Sequence, residues 1–183
     1  FKFILFIYMS KIILLTSILY NEIDYIDEWI HFHLSQKIDL IYIYIQYNDD
    51  CDKDFYNSIV SKYTNNKQVI FIHNKFEHFS HMKKFLINHS EKHKNDWLIT
   101  IDIDEFIYSP IPNKSIRDII NFYEEKNISA ISVNWLCFGS NNLIKKPDSV
   151  LKSFTRSSDK YYPGNFITKS IVKINKIDND INK

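Results

Sequence analysis

The chain is punctuated by short apolar runs rich in β-branched residues, at Ile12 to Leu19, Leu40 to Ile45, Val69 to Ile72, Trp97 to Ile101 and Ala130 to Trp135. Runs of this length read as strands, and Trp97 to Ile101, with its apolar, β-branched composition, reads as one covered on both faces. The intervals between them carry helical patterns. Ile23, Ile26, Ile30 and Leu34, with Trp29 beside them, predict an amphipathic helix over Asp24 to Gln36. Further helices are expected over Asp54 to Tyr63, from a Ser80 cap to about Lys94, and from a Ser115 cap to about Lys126. Strands alternating with helices predict a mostly parallel sheet flanked by crossover helices, an α/β fold. Beyond Trp135 the pattern thins, with strands expected near Val150 to Thr155 and Phe166 to Ile174. At 183 residues, one domain over 12–174 is the natural division, with 1–11 a peripheral leader or anchor remnant and 175–183 a polar tail. Phe1 to Tyr8 is mostly apolar, broken by Lys2, and far short of the roughly 20 residues that span a bilayer, which leaves membrane association open.

One strand runs straight into acid: Trp97-Leu98-Ile99-Thr100-Ile101-Asp102-Ile103-Asp104-Glu105-Phe106. On extended backbone, Asp102 and Asp104 point to the same side. Paired carboxylates suit a hard divalent cation such as Mg²⁺ or Mn²⁺, whose shell water and substrate phosphates complete. In open α/β sheets ligands bind beyond the carboxyl ends of the strands. Asn21-Glu22, Asn48 to Asp52 and Asp102 to Glu105 all fall at such ends.

Composition narrows the alternatives. A net charge of +1, with no basic block interleaved with aromatics, argues against a nucleic-acid partner. Cys51 and Cys137 form no disulfide framework or zinc spacing. His89 and His93 are four apart but flank Ser90-Glu91-Lys92, and read as a solvated helix end rather than a zinc motif. Neither type of Gly-rich phosphate loop is present. The only glycines are Gly139 and Gly164.

Several separated segments together resemble glycosyltransferase family 92 and the related family 2-like glycosyltransferases of the GT-A fold. These are Asn21-Glu22 with Tyr25-Ile26-Asp27-Glu28-Trp29-Ile30 and His33, the acidic strand Trp97 to Phe106, and Asn134-Trp135-Leu136-Cys137-Phe138-Gly139-Ser140. Val150 to Arg156 and Lys169-Ser170-Ile171-Val172 are similar to later family segments. Where the family's second strand ends in Asp-Asn-x-Ser-x-Asp, this chain reads Tyr47-Asn48-Asp49-Asp50-Cys51-Asp52.

The resemblance implies a GT-A-like, Rossmann-like sheet truncated at its C-terminus, because such enzymes often carry a further metal-binding His beyond the segment matched here. It also implies transfer of a sugar from a nucleotide donor, a uridine diphosphate sugar first, to a hydroxyl of a glycan, protein or lipid acceptor, assisted by Mn²⁺ or Mg²⁺. Asp104 becomes the direct metal ligand, Asp102 a ribose or metal contact, and Glu105 a backbone support. Asn21, Glu22, Asn48 and Asp52 become nucleotide contacts, and Trp135, Phe138 and Gly139 frame a sugar. Trp29 reads as core and His33 as a packed or hydrogen-bonded histidine. An inverting reaction also needs a carboxylate base, for which Asp148 and Asp159 are candidates by position. Two other functions are carried: an inactive nucleotide-sugar-binding domain and a metal-dependent phosphohydrolase.

Overall fold

The computed structural model describes residues 9–18, 24–46, 53–74 and 81–177. Six strands form one sheet: β1 (Ile12–Ile18), β2 (Leu40–Gln46), β3 (Val69–Asn74), β4 (Trp97–Thr100), β5 (Ala130–Asn134) and β6 (Thr168–Lys173), in the order β3-β2-β1-β4-β6-β5. β1 pairs in parallel with both β2 and β4, and β2 with β3. β6 pairs antiparallel with β4 and with β5, so it alone runs against the others. The helices are α1 (Ile26–Ser35), α2 (Lys53–Tyr63), α3 (His81–His89), α4 (Ile116–Glu124) and the single-turn α5 (Val150–Ser153). This is the expected α/β architecture, a mostly parallel sheet with helices on both faces.

The strand period of two sorts the core into halves. Ile12, Leu14, Trp97 and Ile99 face one cluster, where they meet Trp29 and Ile30 of α1, Tyr56 and Ile59 of α2, and Ile116 and Ile120 of α4. Ile13, Leu15 and Leu98 face the other, with Tyr42, Tyr44 and the α3 pair Phe85 and Leu86. Central strands buried on both faces need apolar residues at most positions, which is why β1, β2 and β4 lack alternation, whereas β5 at the sheet edge alternates. α4 starts where the sequence predicts. The Ser115 side chain accepts from Asp118 N, while the Asp118 carboxylate accepts from Ser115 N at 2.7 Å, closing a capping box.

Two expectations fail here. Val150 to Thr155 is not a strand: Val150–Ser153 is the helical turn α5, because donors at its start are captured by the α1 carboxylate Glu28 and by Ser149. The segment after α3 is not a solvated helix end either. α3 stops at His89, and His93, only 2 % exposed, turns inward, with its Nδ1 2.8 Å from Asp96 Oδ2 and its Nε2 3.3 Å from the Tyr42 hydroxyl. Asp96 Oδ1 also accepts from Lys11 N, so this group ties the amino ends of β1 and β4 together. Among the described residues, no helix is long and apolar enough to cross a membrane.

Candidate functional site

The sheet reverses its winding at β1. From β1 the chain moves outward to β2 and β3, then crosses back to place β4 on the other side of β1. Such a switch point opens a crevice at the carboxyl ends of the two flanking strands. The acidic segment follows β4 directly into that crevice edge.

Its geometry differs from the extended spacing expected. Past Thr100 the backbone leaves the strand, and residues 102–105 form a turn in which Glu105 N donates to Asp102 O at 3.1 Å. The Glu105 carboxylate completes it, with Oε2 accepting from Asp102 N at 2.9 Å. Asp102 and Asp104 are therefore presented by a closed turn rather than by strand pleating. Ile101 and Ile103 point inward as its apolar anchors, 3 % and 7 % exposed, while Asp102 and Asp104 are exposed. Glu105 is the backbone support that the resemblance implies.

α1 clamps the turn from below. Trp29 Nε1 donates to Glu105 O at 2.8 Å. His33 Nε2 accepts from Ile107 N at 3.2 Å, while its Nδ1 donates to Trp29 O at 2.8 Å. That tautomer is the neutral ring, and burial pushes the imidazole down to about 3, only partly offset by the Trp29 carbonyl. Phe106 stacks on His33 at 5.9 Å and meets Phe32 edge-on at 5.3 Å. Glu28 serves the neighbouring segment, accepting from Ser149 Oγ at 2.5 Å and from Val150 N at 2.8 Å. The helix motif that the sequence singled out thus positions two loops at the edge of the crevice.

Lys169 of β6, named above only within a segment of family resemblance, enters the site. Its ammonium lies 2.9 Å from Asp102 Oδ2 and 3.1 Å from Glu105 Oε2, and 5.6 Å from the centre of the Trp135 ring. Burial works against its charge, but the hydrogen bonds and fields of Asp102 and Glu105 outweigh it and hold the ammonium above its ordinary range. For Glu105 the balance tips the other way: burial raises the carboxyl, and the Asp102 N–H and Lys169 offset only part of that.

Trp135 directly follows β5, so it stands on the same edge of the sheet as the acidic turn. Its indole Nε1 is buried with no hydrogen-bond partner among the described residues. Beyond it, Cys137 to Gly139 runs antiparallel to Arg156–Ser158, through Gly139 N to Arg156 O and Ser158 N to Cys137 O. Together with Asn141, Asn142 and Tyr162 they line an open cleft of about 480 Å³. Phe138 is 47 % exposed beside it. Among the described residues a Cβ at Gly139 meets nothing within 4 Å, so none of them demands glycine there. Gly164 is the demanding one: a Cβ would stand 2.6 Å from the Tyr162 ring and 3.2 Å from Cys137 Sγ.

The hub behind this cleft is Asn165, which no motif or pattern in the chain singles out. It is 6 % exposed; its Oδ1 accepts from Cys137 N at 2.9 Å and Ser158 Oγ at 3.1 Å, and its Nδ2 donates to Asp159 O at 2.9 Å. Of the two base candidates, Asp159 is committed to its own turn, with Oδ1 accepting from Tyr161 N at 2.8 Å. Asp148 is exposed beside Ser149 and so next to the Glu28 contact. Lys169 joins Asp102 to Trp135; Asp148 and Asp159 are not brought to that cluster by any direct contact. Asn21, Glu22, Asn48 and Asp52 lie outside the described residues.

Among the described residues no group of three or more His, Cys, Asp or Glu side chains is placed to hold a metal ion. What the turn offers is two exposed carboxylates, and the Asp104 carboxylate has no hydrogen bond or ion pair among the described residues. A donor set of that kind fits a hard cation that keeps several waters and completes its shell with substrate phosphates.

No protein-family model matches the chain, and none of the curated proteins does. Loose likenesses are found among solved structures. A 4-diphosphocytidyl-2C-methyl-D-erythritol synthase from Anaerococcus prevotii superposes with a TM-score of 0.47 at 10% identity, over 90% of this chain and 70% of that one. A UDP-glucose pyrophosphorylase complexed with UDP-glucose gives 0.42 at 12%, over 90% and 76%. Residues 1–349 of S. aureus TarS give 0.43 at 20%, over 90% of this chain and 47% of that one.

Proposed function

We propose that the chain is a metal-dependent glycosyltransferase that takes its sugar from a nucleotide diphosphate donor, a uridine diphosphate sugar first. One observation carries the reading: a turn closed by its own Glu105 holds the exposed carboxylates of Asp102 and Asp104 at the carboxyl end of β4, beside the winding reversal at β1. The family resemblance of the motifs adds the reaction class.

Asp104 and Asp102 are the residues that hold Mn²⁺ or Mg²⁺ in this reading. When bound, such an ion is a Lewis acid that neutralises charge on a departing diphosphate, an effect worth several kcal/mol in metal-assisted reactions. The protein's own part is positional. Trp29 and His33 fix the backbone at Glu105 and Ile107, so the carboxylates are aimed before substrate arrives. Trp135 and Phe138, with Gly139 beside them, supply apolar faces against which a sugar ring stacks. Asp148, whose carboxylate is exposed with no partner among the described residues, is the freer of the two candidate bases to take a proton from an acceptor hydroxyl.

The test is a panel of nucleotide sugars incubated with Mn²⁺ and the chain, with release of the nucleoside diphosphate measured against hydroxyl acceptors. Sugar-dependent release supports transfer. Mn²⁺-dependent binding without turnover points to a binding domain, and phosphate release from simple esters regardless of sugar points to a phosphohydrolase.

A further inference from the structure

Lys169 is the second residue of β6, and because β6 runs against β4 its start lies at the carboxyl edge of the sheet. Ile171 pairs with Ile99, so extending the register by two residues sets Lys169 across from Ile101, one position before the acidic turn. Its ammonium reaches Asp102 and Glu105 at 2.9 and 3.1 Å, and its side chain is only 25 % exposed. Three carboxylates and one ammonium leave this group two charges negative, which one divalent ion neutralises. Yet Lys169 already occupies an oxygen of Asp102. An incoming ion must share that carboxylate and sit in the field of a fixed positive charge a few ångströms away.

We propose that Lys169 is the resident counter-ion of the acidic turn, a positioning residue that makes divalent-cation binding conditional on the nucleotide diphosphate. With the site empty, the ammonium holds Asp102 in place. A diphosphate brings negative oxygens that both cations can share, so Lys169 gives up Asp102 to the metal and pairs with a phosphate oxygen. Metal and diphosphate then bind together, each raising the affinity of the other by the same factor. The proposal rests on the metal-diphosphate reading above, and its test reads binding rather than turnover.

The experiment is titration of Mn²⁺ into the full chain, with free Mn²⁺ followed by electron paramagnetic resonance, in the presence and absence of uridine diphosphate. Wild type is expected to bind Mn²⁺ weakly alone and about tenfold or more tightly with the nucleotide. Lys169→Met is expected to bind Mn²⁺ alone about tenfold more tightly than wild type and to lose most of the nucleotide-dependent gain. Lys169→Arg keeps the charge and is expected to follow wild type. Wild type that binds Mn²⁺ equally tightly with and without nucleotide overturns the proposal, whether or not Lys169→Met folds. So does a Lys169→Met chain that binds Mn²⁺ no better than wild type, or a Lys169→Arg chain that behaves like it. If wild type takes up no Mn²⁺ even with nucleotide, the metal reading of the natural chain fails. The conditional coupling fails with it, and Lys169→Met then decides the counter-ion role alone: a site gained, and lost again in Lys169→Met/Asp104→Ala, upholds that role, and no site gained overturns it.

Discussion

His33 offers a sharp test of how the acidic turn is held. The ring is buried at 0 % exposure, donates from Nδ1 to Trp29 O and accepts from Ile107 N, and its folded-state value is pushed down to about 3 from an ordinary 6.5. Between those two values the unfolded chain binds a proton that the folded chain refuses, so stability rises with pH across the window and is lost as pH falls. The slope is about 1.4 kcal/mol per pH unit, or roughly 3 kcal/mol between pH 6.5 and pH 4. A His33→Gln variant keeps a polar side chain but does not titrate. At pH 7 it is expected to be less stable by about 1–3 kcal/mol, because the Ile107 N–H loses a well-placed acceptor in a buried site. Urea unfolding at pH 7, 6, 5 and 4 then gives the difference between the two proteins at each pH. That difference is expected to shrink steadily as pH falls and to reverse near pH 4. A difference that stays constant with pH refutes the buried neutral imidazole and, with it, this account of the clamp.

The remaining structural predictions are simpler. Gly164→Ala drives a methyl into the Tyr162 ring and toward Cys137, and is expected to cost about 1–3 kcal/mol by urea unfolding at neutral pH. Gly139→Ala meets open space and is expected to be neutral or up to about 1 kcal/mol stabilising in the same assay. Glu28→Ala removes the acceptor for Ser149 Oγ and Val150 N, and is expected to cost about 0.5–2 kcal/mol, as lost helix caps do, with faster proteolysis near Val150.

The strands were readable because a central parallel strand tolerates few polar residues, and Ile12 to Ile18 and Trp97 to Ile99 carry that signature plainly. α4 was readable from its Ser115 cap, whose partner Asp118 is only three residues away. Where local signals misled, a distant partner had overruled them. Val150 to Thr155 was expected to be a strand, but Glu28, 122 residues earlier in sequence than Val150, turns its start into a helix. Asp102 and Asp104 have strand spacing, but Glu105 folds them into a turn. The insertion of β6 between β4 and β5 leaves no local mark, and so Lys169, 67 residues from Asp102, showed no role in a linear reading. Gly139 drew attention as part of a motif, whereas the tight packing belongs to Gly164.

The central claim is that the turn after β4 is a metal-diphosphate site, and calorimetric titration of uridine diphosphate into the chain with and without Mn²⁺ tests it most directly. In wild type, binding is expected to require Mn²⁺. In Asp104→Ala, which removes an exposed carboxylate that has no partner to lose among the described residues, the fold is expected to persist and Mn²⁺-dependent binding to fall by at least about tenfold, or 1.4 kcal/mol. Undiminished Mn²⁺-dependent binding in Asp104→Ala contradicts the assignment and places the site elsewhere.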